Sequence, residues 1–281
     1  MSLPDLRRRT HLFAPGLNQR FVEKALVSDA DAVVIDLEDG IDQTRVHDAR
    51  EMLEGIAEAA HARPTHVRVG MDSSGYREAD LRLAVNLRAE TVRLPKVEEP
   101  ELVGAVASLL DREAVPTTIH LTIESARGLV SLADLIAASS RVSRIVFGER
   151  DFLADMGVNE PGPITDHARA SIAVSSRAAG IGSPLDGAYV DLDDFEGLQS
   201  SCERARAFGF GGKSAIHPKQ LAMIQKVFSL GDADLKRART LVDAFDRAQS
   251  QGEASVVVDG RFIDEALAKR ARSMIEEEEG L

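Results

Sequence analysis

The chain has 281 residues, 44% of them hydrophobic and 28% charged, with no tryptophan and a formal net charge of −12. That length allows one domain with a large core, and the acidic balance argues against general nucleic-acid binding. A lone cysteine, Cys202, excludes an intramolecular disulfide, and no apolar run is long enough to cross a membrane.

The opening segment MSLPDLRRRTHLFAPG carries arginines with no apolar stretch behind them. It is read as a solvated terminus, and the protein as cytoplasmic. Short Val- and Ile-rich runs then recur: THLFA (10–14), AVVIDLE (32–38), HVRVG (66–70), TVRLPK (91–96), TIHLTIE (118–124), RIVFGE (144–149), GAYVD (187–191) and KSAIH (213–217). Most read as apolar on both faces, the pattern of buried parallel strands, with a core of Val, Ile, Leu and Ala. Amphipathic stretches separate them, such as RFVEKALVSD and PELVGAVASLLDRE. Eight strands alternating with helices predict an α/β fold of the (β/α)8 TIM barrel type. An open doubly wound sheet is the alternative. The barrel is assigned to residues 1–225. Residues 226–281 form a C-terminal extension of the same domain unit: a helix, a hairpin turning at Asp259-Gly260, and a last helix.

Barrel enzymes place their chemistry at the C-terminal ends of the strands. Here those ends carry Asp36, Glu38, Asp39, Arg68, Lys96, Glu124, Asp151, Asp191 and His217. Glu124 and Asp151, from successive strands, form a hard oxygen pair of the kind that holds Mg²⁺. The plain alternative is a pair of surface acids or helix caps. Arg68 lies inside an apolar strand, so its guanidinium needs a partner. Glu38 or Asp39 could serve, or a substrate carboxylate gripped by the planar fork. Lys96 is read as an ion-pair partner before a Schiff-base lysine. His217 is read as structural, and the GFGG run at 209–212 as a turn on the face away from the chemistry.

These residues fall in motifs: LFAPG (12–16), VVIDLEDGI (33–41), VRV (67–69), RLPKVE (93–98), TIESARGL (122–129), FGERD (147–151) and AIHPKQ (215–220). Their order resembles that of the citrate lyase β-subunit-like (CitE-like) proteins of the HpcH/HpaI aldolase superfamily, which also holds malyl-CoA and citramalyl-CoA lyases. The resemblance covers nearly the whole chain. It implies a (β/α)8 barrel in trimers or hexamers and a Mg²⁺-dependent lyase or aldolase. The substrates would be a CoA thioester and a small oxo acid.

Carried over by position, Arg68 binds substrate and Glu124 and Asp151 hold the metal. Asp264, in the FID segment, acts in catalysis from a neighbouring subunit, with Glu38 and Asp39 beside the arginine. Arg20 and Lys24 lie toward the CoA end. Two positions depart from the family pattern: Gly70, where Asn is frequent, and Arg150, where Glu is frequent. A CoA-independent pyruvate aldolase, a malyl-CoA thioesterase and the β subunit of an acyl-carrier-dependent citrate lyase complex are the alternative activities.

Overall fold

The computed structural model describes residues 8–279. Eight parallel strands close into a barrel: β1 (Thr10–Pro15), β2 (Ala32–Asp36), β3 (Thr65–Arg68), β4 (Thr91–Leu94), β5 (Thr118–Ile123), β6 (Val142–Phe147), β7 (Leu185–Asp186) and β8 (Gly212–Ala215). Each pairs with its sequence neighbours, and β8 pairs with β1. The open-sheet alternative is thereby excluded. Helices α1 (Gln19–Leu26), α2 (Val46–Glu54), α3 (Glu78–Asn86), α4 (Pro100–Arg112), α5 (Leu132–Ala137), α6 (Glu149–Asp155), α7 (Pro163–Ala178), α8 (Phe195–Ala207) and α9 (Leu221–Phe228) follow the strands in turn. The chain divides into two compact units, Arg8–Phe228 and a second beginning at Ser229. No described helix is long and apolar enough to cross a membrane.

The apolar-on-both-faces reading of the strands is corrected by the register. On β5, Ile119, Leu121 and Ile123 are fully buried in the main apolar cluster. The alternate residues of the same strand, Thr118, His120 and Thr122, are polar. His11, His66 and His120, from β1, β3 and β5, bring their rings within 5.1–6.2 Å of one another. Side chains from alternate strands meet like this only inside the barrel, as one of its stacked layers. Arg93 Nη2 stands 2.6 Å from His11 Nδ1. The aliphatic core is therefore the layer between sheet and helices, and the barrel's own interior is largely basic and aromatic.

Two sequence expectations shift. GAYVD (187–191) is a loop; the seventh strand is Leu185–Asp186, just before it. Asp186 is buried in the wall with Lys213 as its partner, which a sequence pattern reads as a loop residue. Asp191 lies exposed in that loop, where its carboxylate accepts from Asp193 N at 3.0 Å. The arginine-rich start is anchored as well. Arg8 pairs with Glu90, and Arg9 N donates to Asp31 at 2.9 Å. Arg7 lies outside the described residues. The GFGG run is a turn at the N-terminal end of β8, as expected, with Gly209 at φ +89°.

The second unit consists of α10 (Asp232–Ser250), an antiparallel hairpin of β9 (Val256–Val258) and β10 (Arg261–Ile263), and α11 (Glu265–Glu279). Asp259 and Gly260 both take positive φ, 49° and 74°, as a type I′ turn requires. Phe245, Ile263 and Ala268 form its core.

Candidate active site

A cavity of about 350 Å³ opens where the C-terminal ends of the barrel strands converge. Asp36, Asp39, Arg68, Glu124, Arg150 and Asp151 all line it. Most of the strand-end residues singled out from sequence therefore meet in one place.

Arg68 is the best-held of them. It stands directly opposite Asp36 in the β2–β3 register. Its Nε and Nη2 donate to the two Asp36 oxygens at 2.7 and 2.6 Å, and Nη1 lies 3.0 Å from Glu38 Oε2. Burial alone would lower the guanidinium's pKa. The Asp36 bonds, with the charges of Glu38 and Glu124, carry it well above its ordinary value. The Phe13 ring packs beneath it, 5.0 Å from the guanidinium carbon. Two of its five N–H groups are thus hydrogen-bonded to Asp36 and Nη1 is ion-paired with Glu38, which leaves N–H groups for a ligand. Sequence reading named Glu38 and Asp39 as the partners and missed Asp36. The register that pairs positions 36 and 68 was the missing signal.

Glu38 is 7% exposed and also takes the Lys96 ammonium. Burial raises its pKa, opposed by Arg68 and Lys96. Asp39 sits farther out, half exposed, 3.3 Å from Lys96 Nζ. Lys96 is thus an ion-pair partner, and its ammonium is held charged by Glu38 and Asp39 against the cost of burial. Its backbone is unusual. At φ +50° it occupies the left-handed region that long side chains avoid. This turn aims Lys96 N at Glu124 Oε1, 2.6 Å away. Tyr76 OH braces the same turn by donating to Pro95 O at 2.8 Å.

Glu124, one residue past β5, is 6% exposed. Burial pushes its carboxyl up to about 8, with the charges of Asp151 and Glu38 adding to the rise. Its second oxygen fits against Gly148, where any Cβ would stand 2.5 Å from Oε2, so only glycine fits there. Asp151 follows in α6, exposed, and has no hydrogen bond or ion pair among the described residues. A buried carboxylate above its normal pKa beside an unpaired one is a site short of positive charge. Two hard oxygens with open positions match the donor set of Mg²⁺. No third acid or histidine joins them among the described residues.

The remaining candidates separate. Arg20 and Lys24 are exposed, one turn apart on α1. Asp264, in the second unit, caps α11 by accepting from Leu267 N at 3.0 Å. His217 is structural: its Nδ1 accepts from Lys219 N at 3.1 Å. At Gly70, a Cβ would lie 1.7 Å from Arg77 Nη2. The Arg77 guanidinium fills that space, bound to Asp80 at 2.9 Å and Gln43 at 2.6 Å.

Known proteins resemble this chain in sequence and fold. Residues 9–218 match the model of the HpcH/HpaI aldolase/citrate lyase family. A (3S)-malyl-CoA thioesterase of Cereibacter sphaeroides is 33% identical over 97% of this chain and 95% of its own. The mitochondrial citramalyl-CoA lyase of Homo sapiens is 30% identical over 95% of this chain and 84% of its own. Among solved structures, the CitE protein of Mycobacterium tuberculosis, in complex with magnesium, acetoacetate and coenzyme A, superposes with a TM-score of 0.79. It is 26% identical and covers 97% of this chain and 98% of its own. A citrate lyase β subunit of the same organism, with oxaloacetate and magnesium, reaches 0.67 at 28% identity over 80% of this chain and 99% of its own. The chain belongs to the HpcH/HpaI aldolase/citrate lyase family.

Proposed function

We propose that this chain is a Mg²⁺-dependent carbon–carbon lyase. It would cleave, or form, a β-hydroxyacyl-CoA thioester such as citryl-, citramalyl- or malyl-CoA, giving an acyl-CoA and an oxo acid. The observation that carries this is the Glu124–Asp151 pair facing Arg68 across one strand-end cavity. Relatives named citramalyl-CoA lyase and L-malyl-CoA/β-methylmalyl-CoA lyase support it, as do structures in complex with magnesium, oxaloacetate and coenzyme A.

Glu124 and Asp151 would hold the metal, which when bound acts as a Lewis acid toward the substrate's oxygens. Arg68, its plane fixed by two hydrogen bonds to Asp36 and an ion pair with Glu38, offers its remaining N–H groups to negative charge on the substrate. Lys96 and Asp39 close the ring of charge around Glu38. Arg20 and Lys24 provide positive charge for the CoA phosphates. Asp264 of a neighbouring protomer would deliver the proton to the carbon released as an enolate, or remove it in the condensation direction. An in-trans residue requires a homo-oligomer.

The test is a panel of CoA thioesters and oxo acids, with and without Mg²⁺, read by mass spectrometry. The expected result is metal-dependent appearance of an acyl-CoA and an oxo acid. Turnover that ignores chelation of the metal, or no carbon–carbon cleavage with any thioester, overturns the proposal. A second reading rests on the 33% identity to a (3S)-malyl-CoA thioesterase. Malate and free CoA as sole products from malyl-CoA would establish it. Truncation before Asp264 tests the in-trans proton transfer: full activity in the truncated chain sinks that step.

A further inference from the structure

Among the described residues, the cations around the cavity are partnered, with one exception. Arg68 is matched by Asp36 and Glu38, and Lys96 by Glu38 and Asp39. Glu149 is held by Arg169 at 2.8 Å. Glu124 and Asp151 are the proposed metal ligands. Arg150 remains. It lines the cavity between Glu149 and Asp151, and among the described residues it makes no hydrogen bond or ion pair.

Its surroundings leave room for a ligand. Gly148, Gly187 and Ala188, all small, line the cavity with it. A guanidinium offers five N–H donors in a planar fork that matches a carboxylate. Arg150 also lines the cavity together with Glu124 and Asp151, the proposed metal ligands. Arg20 and Lys24 lie instead on α1. The anion within reach of Arg150 is therefore one carried by the oxo-acid part of the substrate.

We infer that Arg150 selects a 2-oxo dicarboxylate over a 2-oxo monocarboxylate, by pairing with the carboxylate the monocarboxylate lacks. This rests on the proposed metal and oxo-acid site and names the substrate class that site prefers.

Pyruvate and oxaloacetate differ by that one carboxylate, so they are the probes. Calorimetric titrations of the Mg²⁺-loaded protein with each, and with coenzyme A, compare the wild type with Arg150→Met and Arg150→Lys. In the wild type, oxaloacetate should bind more tightly than pyruvate. In Arg150→Met the ratio of the two affinities should fall about ten- to a hundredfold, the effect of removing a hydrogen-bonded charged partner. Arg150→Lys should recover part of it. An unchanged ratio overturns the inference and leaves the lyase reading intact. So does a loss confined to coenzyme A, which would place a phosphate at Arg150. If neither oxo acid binds the wild-type protein, the lyase reading and the inference fail together.

Discussion

Two charge clusters sit close together in the barrel unit, and they are built on opposite principles. In the wall, Asp186 is shared by Arg169 and Lys213, Arg169 also holds Glu149, and Lys213 donates to Ser201 at 2.9 Å. Two acids meet two cations, and Asp186, Arg169 and Lys213 are almost wholly buried. Around the cavity, five carboxylates (Asp36, Glu38, Asp39, Glu124 and Asp151) meet three cations, Arg68 and Lys96, which are ion-paired, and Arg150, which is not. The wall cluster is closed and neutral. The cavity cluster is open and short of positive charge. Buried ions persist when paired, and a deliberate shortfall marks where a ligand completes the set.

The first way to break this comparison is to open the closed cluster. Asp186→Ala leaves Lys213 without an acid and Arg169 with Glu149 alone, both cations 2% exposed or less. Removing one partner of a buried ion pair costs about 3–5 kcal/mol. For a chain of this size that lowers the melting temperature by roughly 10 °C. Thermal denaturation without metal measures it, and an unchanged midpoint would show that the wall cluster contributes nothing.

The same operation on the open cluster should go the other way. Glu124→Gln removes a carboxylate that burial and Asp151 both disfavour, and keeps an oxygen for Lys96 N. Without metal, the variant should melt no lower than the wild type. With metal, it should lose Mg²⁺ affinity by about a hundredfold, on the scale of removing a charged partner. Stability and metal titration together decide: a less stable variant that still binds Mg²⁺ would make Glu124 a structural acid.

A subtler change reaches the same pair through its cradle. In Gly148→Ala the new Cβ would stand 2.5 Å from Glu124 Oε2 and 2.6 Å from its Cβ. The carboxylate must move, at a cost of about 1–3 kcal/mol in stability. Mg²⁺ affinity should fall while Arg68, on another strand, keeps its bonds. A Gly148→Ala protein with wild-type metal affinity would mean that the position of Glu124 does not matter to the ion.

Acidity separates the clusters again. Burial pushes the Glu124 carboxyl up to about 8 in the folded chain, above the ordinary 4.5. Between those pH values the native state holds a proton that the unfolded chain has released. Stability from this group is therefore full below about pH 4.5 and is lost as pH rises through 8. Mg²⁺ held by Glu124 would displace that proton, so the shift in melting temperature on adding Mg²⁺ should be larger at pH 8.5 than at pH 6. Glu124→Gln should abolish the difference. A metal-induced shift independent of pH would rule Glu124 out as the group that gives up its proton.

How much of this was legible in the sequence follows from what kind of order each feature needs. Glu124 and Asp151 stand at the ends of strong apolar runs, and local pattern finds such residues. Asp36 as the partner of Arg68 depends on β2–β3 register, which one sequence does not display. The left-handed turn at Lys96 depends on Tyr76 and Glu124, both distant in the chain. Strand β7 was misplaced because Asp186 reads as a loop residue until Arg169 and Lys213 neutralise it. The histidine layer was visible in principle: THLF, THVR and TIHL each begin with a threonine and carry a histidine at the second or third position. Counting apolar residues hid a period of two that strand geometry demands.

The finest distinction lies within the cavity, between Glu38 and Asp39. They are sequence neighbours with the same charge, but Glu38 is 7% exposed and bonded to both Arg68 and Lys96. Asp39 has a side chain 55% exposed and reaches only a Lys96 that is itself 50% exposed. Water screens an exposed pair of this kind to about 0–1 kcal/mol. Glu38 is ion-paired with Arg68 in a buried setting, so Glu38→Gln should raise the KM for the oxo acid by about tenfold, the loss of one charged contact. Asp39→Asn should change kcat and KM by no more than about threefold, the middle of that screened range. Equal losses in the two variants would mean that charge alone, irrespective of burial and bonding, sets the arginine's role. A larger loss in Asp39→Asn would move the working contact out to the cavity rim.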